Sequence, residues 1–288
     1  MEEPGISHPL QQEPPLLFGP DHVTRGYYEL EELQRGFTLT ALREHQDAVA
    51  LWYRGLTLYR SGMMGTWEYP GRQQRGNRVT AWGIQTKLLG LGVGSAKASL
   101  DLLLAGHYSM AYAGIRHMLE STLQVLYLAA CPLESPMWFG KPGYCARELI
   151  NANKKPPKFV PPNSMQMVEQ LTKYVPQWGD GLKVVYDSWA LMSRGAHPAS
   201  EGMRQTEPES DTFHVIGPTY VEDLCLTGFD HGLSAVNRQL HALNILKPQS
   251  EDWNAQHDAL TEAMAKWRQE TANKLGITDF TAPEEENL

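Results

Sequence analysis

The chain has 288 residues, enough to bury a sizeable core in one large domain or two small ones without disulfide or metal staples. Its 42% hydrophobic content and 25 glycines match an ordinary globular protein and exclude wholesale disorder. With 25 Lys plus Arg against 33 Asp plus Glu, the net charge of -8 excludes a whole-molecule attraction to nucleic acid or anionic membrane and leaves only local basic patches for such partners.

Residues 1–24 carry five prolines and few bulky apolar side chains, and they read as a flexible arm. The stretch 1–19 is acidic and lacks the basic start and apolar run of a signal peptide. Residues 25–80 read as a helical extension and a loop. Leu33, Phe37, Leu42, Val49, Trp52, Leu56 and Tyr59 recur near the helical period, enough for one or two helices. Four glycines and Pro70 make 61–77 read as the loop.

Between Trp82 and Ala130 the pattern predicts a helical hairpin, broken at Ala105-Gly106 and ended by Pro132. In its second arm Tyr108, Ala111, Tyr112, Ile115, Leu119, Thr122, Leu123, Leu126, Tyr127 and Ala130 define one broad buried face. In its first arm Gly90, Gly94 and Ala98 form a smooth stripe, expected to let another helix approach closely. A Pro-, Gly- and Lys-rich connection follows at 131–162.

Helical spacing resumes at Met167, Leu171, Tyr174 and Val175, and again from Leu182 through Trp189 and Met192 to Arg194, stopping at Gly195. The run Phe213–Ile216 is β-like and allows one short β hairpin. Pro218 is expected to open a long helix that Lys247-Pro248 closes, completing a core over 81–248. Residues 249–288 read as a terminal amphipathic helix, carrying Trp253, Leu260, Met264 and Trp267, followed by an acidic tail. The expected class is an all-α helical bundle.

Several familiar chemistries are missing. Gly90, Gly92 and Gly94 with Lys97 fail the Walker A pattern, which needs Lys directly after its last Gly and a strand before its first. Glu-x-x-His, His-Glu-x-x-His and Gly-x-Ser-x-Gly are absent, so neither a metal nor a cofactor is expected. His257-Asp258 is the dipeptide of the HD phosphohydrolases, here taken as a chance pair on a surface-like helix. Cys131, Cys145 and Cys225 form no Cys-x-x-Cys pair and read as structural thiols of a reduced, cytoplasmic compartment. The most apolar stretch, Leu119–Leu133, is interrupted and shorter than the roughly 20 residues a bilayer needs, so no membrane span is expected.

Two polar groups remain. Arg116 and Glu120, four apart beside His117, share one side of the hairpin's second arm; they can be an ordinary salt bridge or part of a site. The segment Ser193–Ser200 sets Arg194 in the last turn of a helix and His197 just past its end, where the helix dipole favours a protonated ring. An imidazole with an arginine suits phosphodiester cleavage, the His as acid or base and the Arg stabilising charge on phosphate. Equally, His197-Pro198 can be a rigid turn whose ring caps a carbonyl.

The text Ala105–Glu120, with Arg116-x-x-x-Glu120, resembles the helix of an uncharacterised bacterial family of HEPN-like helical proteins. Ser193–Ser200 is similar to that family's Ser-x-x-x-His-Pro-x-Ser stretch, and Gly217-Pro218 before a long helix also fits. The resemblance spans about 95–246 and makes 81–248 a HEPN-like core of helical hairpins. It implies a homodimer with RNA as partner and, in catalytic HEPN members, a metal-independent ribonuclease of the kind found in defence and toxin systems. Arg194 and His197 would be the catalytic pair, with Arg116, Glu120 and Ser200 in support. Two residues separate Arg194 from His197, where the catalytic HEPN signature has four to six. Degenerate relatives of that fold serve as noncatalytic interaction or regulatory modules, which is the alternative.

Overall fold

A helix that is apolar on one side needs one neighbour, and a helix apolar all round needs several. The computed structural model describes residues 20–66, 77–132, 162–196 and 220–275, and it distributes the helices on that logic. Among them are α1 (Pro20–Glu44), α2 (Gln46–Thr66), α3 (Asn77–Leu104), α4 (Tyr108–Ala130), α5 (Ser164–Tyr174), α6 (Gly179–Ala196), α7 (Glu222–Leu246) and α8 (Glu251–Lys274), with a 3-10 turn at Pro176–Trp178. No strand occurs among the described residues, and the β-like run 213–216 lies outside them. The architecture is an all-α bundle.

The hairpin forms as its spacing predicts. Gly106 turns the chain at φ 78°, a left-handed conformation that costs glycine nothing, and the His107 amide donates to the Leu102 carbonyl at 2.8 Å. The expected face of α4 is buried from Tyr108 to Tyr127, with Ala130 half-buried at its end, and Met118, Ser121, Val125 and Leu128 are buried on other sides. That helix is therefore central: α3, α5, α6 and α7 all pack on it. The other heavily buried helix, α7, packs on α2, α3 and α4. Its Gly232 is required, because a Cβ there would overlap the fully buried Trp52 ring of α2. Trp52 in turn meets Phe229 edge-on at 6.2 Å.

A polar knot sits at the middle of this core. The buried Gln239 side chain of α7 donates from Nε2 to the Met118 carbonyl of α4 at 2.8 Å. The Tyr59 hydroxyl of α2 shares its one proton between the Leu89 carbonyl of α3, at 2.7 Å, and the Gln239 Oε1. Four helices are thus joined through two side chains.

Several boundaries differ from the sequence expectation. α1 begins at Pro20, whose fixed φ suits a first helical position, so the expected arm gives up 20–24 to a helix. The break between α1 and α2 is a single turn at His45, and α2 runs on to Thr66 into the expected loop. α6 continues through Gly195 to Ala196. α7 starts at Glu222 rather than at Pro218, with Glu222 and Asp223 answering the positive end of its dipole. Gly90, Gly94 and Ala98 are exposed, and nothing lies within 4 Å of a Cβ at either glycine, so no helix among the described residues uses that stripe. It is Gly92, on another side of α3, that faces the core and makes room for Gln239.

Candidate functional site

Arg116 and Glu120 lie on α4, and Arg194 lies in the last turn of α6. These two helices, joined in sequence only through the long connection and α5, pack side by side. The Arg116 guanidinium carbon stands 5.3 Å from the Trp189 ring centroid of α6, a cation–π contact, and Tyr186 stacks on that ring at 5.5 Å. About two turns nearer the start of α4, the Ser109 hydroxyl points at the Ala196 carbonyl, 3.5 Å away. Both contacts fit one antiparallel register.

That register fixes the rest of the seam. Arg194 falls opposite Ala111, about 7 Å along the axis from the level of Arg116 at 1.5 Å per residue. Glu120 falls opposite Val185, one turn to the other side of Arg116. Arg116 and Glu120 are half-buried and Arg194 is exposed. Ser193, whose hydroxyl donates to the Trp189 carbonyl at 2.7 Å, faces back along its own helix. The carbonyl end of α6 is brought to the amide end of α4, where the His107 ring accepts from the Gln34 amide of α1 at 2.8 Å. His197 and Ser200 lie outside the described residues, as do Lys154, Lys155 and Lys158 and the side chains of Arg72, Arg75 and Arg78.

Elsewhere, the chemistry is muted. Burial pushes the Cys225 thiol up to about 12, so at neutral pH it is no nucleophile. The Tyr108 and Tyr112 hydroxyls are raised by burial too; they tie the start of α7 to α4, Tyr108 accepting from the Val221 amide at 2.8 Å and Tyr112 donating to the Leu224 carbonyl at 2.7 Å. Among the described residues, no group of three His, Cys, Asp or Glu side chains is arranged to hold a metal ion, and no helix is long and apolar enough to cross a membrane.

His257 departs from its surface-like reading. It is buried, its Nε2–H donates to the Asn237 Oδ1 at 2.9 Å, and its ring meets that of His241 at 4.5 Å in a T-shaped pair. Burial lowers both imidazoles to about 4, so they are neutral at physiological pH. Asp258 beside it is exposed. The dipeptide is split between core and surface, which no metal-binding pair would be. Periodicity carried the signal, since Trp253, His257, Leu260 and Met264 share one stripe. Trp189 is the other residue whose role was missed: apolar by type, it is the platform for Arg116, and its Nε1 has no hydrogen-bond partner among the described residues.

No family of known proteins, no curated protein and no solved structure matches the chain. The HEPN-like resemblance therefore stands on the residues quoted for it.

Proposed function

We propose that the chain is a HEPN-like helical protein that cleaves RNA without a metal, at the end of the α4–α6 seam. One observation carries this reading: the Arg116-x-x-x-Glu120 helix and the helix with Arg194 in its last turn, far apart in sequence, lie against each other in register. Arg194 is exposed where α6 ends, and His197 follows one residue after the helix. In the proposed reaction the ribose 2′-hydroxyl attacks the adjacent phosphate. His197 takes its proton and the guanidinium of Arg194 stabilises the charge gathering on the phosphate; the P–O5′ bond breaks, the 5′-oxygen leaves with a proton from water, and a 2′,3′-cyclic phosphate remains. Arg116, held on Trp189, and Glu120 position the seam.

The test is cleavage of labelled single-stranded and transfer RNA, with EDTA present and the matching DNA as control. Arg194→Ala and His197→Ala should each abolish RNA cleavage while helicity is unchanged, and DNA should stay intact. Cleavage equal in all three proteins, or absent from the wild type, would overturn the ribonuclease reading. A noncatalytic interaction module would then stand, favoured by the apolar side chains that α1 leaves exposed, among them Leu33 at 51% and Leu39 at 59%.

A further inference from the structure

Away from the α4–α6 seam, the first half of α7 and the second half of α8 enclose a trough of two hollows, of about 420 and 260 Å³. They share a wall of Leu226, Trp267, Thr271 and Leu275. Asp223 and Asp230 border the first hollow; Glu44, Asp47, Glu222 and Glu270 border the second. Against these stand Arg268 and Lys274 in the lining, with Arg43 on Glu44 at 2.8 Å and Lys266 3.9 Å from Glu270, which leaves Asp47, Glu222 and Asp223 without an ion pair among the described residues. Arg268 is taken up by Asp230, its Nε 2.5 Å from the carboxylate oxygen. His45 and His231 also face the trough, and burial holds both below the ordinary imidazole range, so neither adds charge at neutral pH. The result is an apolar patch of Leu226, Trp267 and Leu275, chiefly in the first hollow, inside a rim of net negative charge.

We infer that this trough is a docking site for a basic peptide segment of a partner protein, which lays an apolar side chain on Trp267 and Leu226 and sets Lys or Arg side chains against the rim. Charge decides the occupant. Nucleic acid is repelled by the carboxylates, so the trough is separate from the proposed RNA site and does not depend on it. A second copy would bring the same negative patch to a two-fold contact. Residues 276–288, which follow Leu275, include Asp279 and Glu284–Glu286 and no Lys or Arg; residues 1–19 include three glutamates and no Lys or Arg. Neither terminal stretch supplies the complement. Two adjacent hollows take more than one side chain, so a segment of peptide fits where a lone amine would fill only one of them.

The experiment uses the full chain and a fluorescein-labelled amphipathic helical peptide of Lys and Leu, read by anisotropy beside its Glu/Leu counterpart. Glu270→Lys reverses a rim charge in the last turns of α8, where a cation suits the helix dipole and folding is preserved. Glu262→Lys makes the same charge change on the same helix, at an exposed position off the trough. Expected is binding of the Lys/Leu peptide, weakened at least about fivefold by Glu270→Lys and unchanged by Glu262→Lys, with the Glu/Leu peptide not binding. Three results would overturn the proposal: no binding of the Lys/Leu peptide, equal weakening by both variants, or equal binding of both peptides. Self-association of the wild type that Glu270→Lys abolishes would assign the trough to a second copy instead.

Discussion

The contact between α2 and α7 and the contact between α4 and α6 are both helix against helix, yet they are built differently. Along the first, Trp52, Tyr59, Phe229, Val236 and Leu240 are almost wholly removed from water, and Gly232 is given over to a single tryptophan ring. Along the second, Leu182, Val185 and Met192 of α6 are buried in the same core, but Tyr186, Trp189 and Arg116 stay half-buried beside them, where an arginine lies on an indole. Close packing throughout fixes geometry firmly; a seam with a half-buried, partly polar edge leaves side chains there able to meet a ligand. A binding or catalytic site belongs to the second kind of contact.

The contrast can be broken at its strong end. Trp52→Ala should cost about 3–5 kcal/mol, the scale for a large aromatic lost from a close-packed site, and lower the denaturant midpoint accordingly. A loss no greater than that of a surface variant would mean that the α2–α7 core is looser than its burial implies. A second, smaller effect sharpens the comparison through pH. Both His241 and His257 titrate near 4 in the folded chain, below the ordinary 6.5. The unfolded chain then binds more protons between those values, so their stabilising contribution is full above about 6.5 and is lost as pH falls towards 4. Thermal melts across that window should steepen for the wild type and flatten for His257→Gln. An unchanged slope would place these rings in contact with water. Smallest is Arg116→Ala, expected to cost only about 0.5–1 kcal/mol in chemical denaturation, because a half-exposed cation on a ring contributes little more than that. A loss several times larger would make the seam as structural as the core.

Much of this fold was legible because α4 and α8 state their buried stripes at helical spacing, and because Gly106 and Pro132 mark the hairpin's turn and end. What misled was the reading of glycines. Gly90 and Gly94 lower helix propensity as much as Gly92 does, so propensity alone could not say which of them faces a neighbour; only the position of Gln239, far along the chain, distinguishes them. His257 was misjudged because α8 is polar in composition, although its spacing put the ring on the buried stripe. Of the candidate site, Arg116, Glu120 and Arg194 were visible as residue types. Their common seam was not, because it rests on Trp189, an aromatic whose partner only a three-dimensional arrangement reveals, and the acidic trough draws its carboxylates from α1, α2, α7 and α8 at once.

Tyr59, Leu89 and Met118 belong to helices made early in translation, while Gln239, which draws them together, is made late. A ribosome carrying the chain only as far as α6 therefore holds α2, α3 and α4 with their apolar faces uncovered and the hydroxyl of Tyr59 short of one of its two acceptors. Such a nascent chain has its secondary structure in hand but no finished interior, and holdase chaperones should engage it until α7 emerges. Synthesis of this protein ends its vulnerable period abruptly, with one helix.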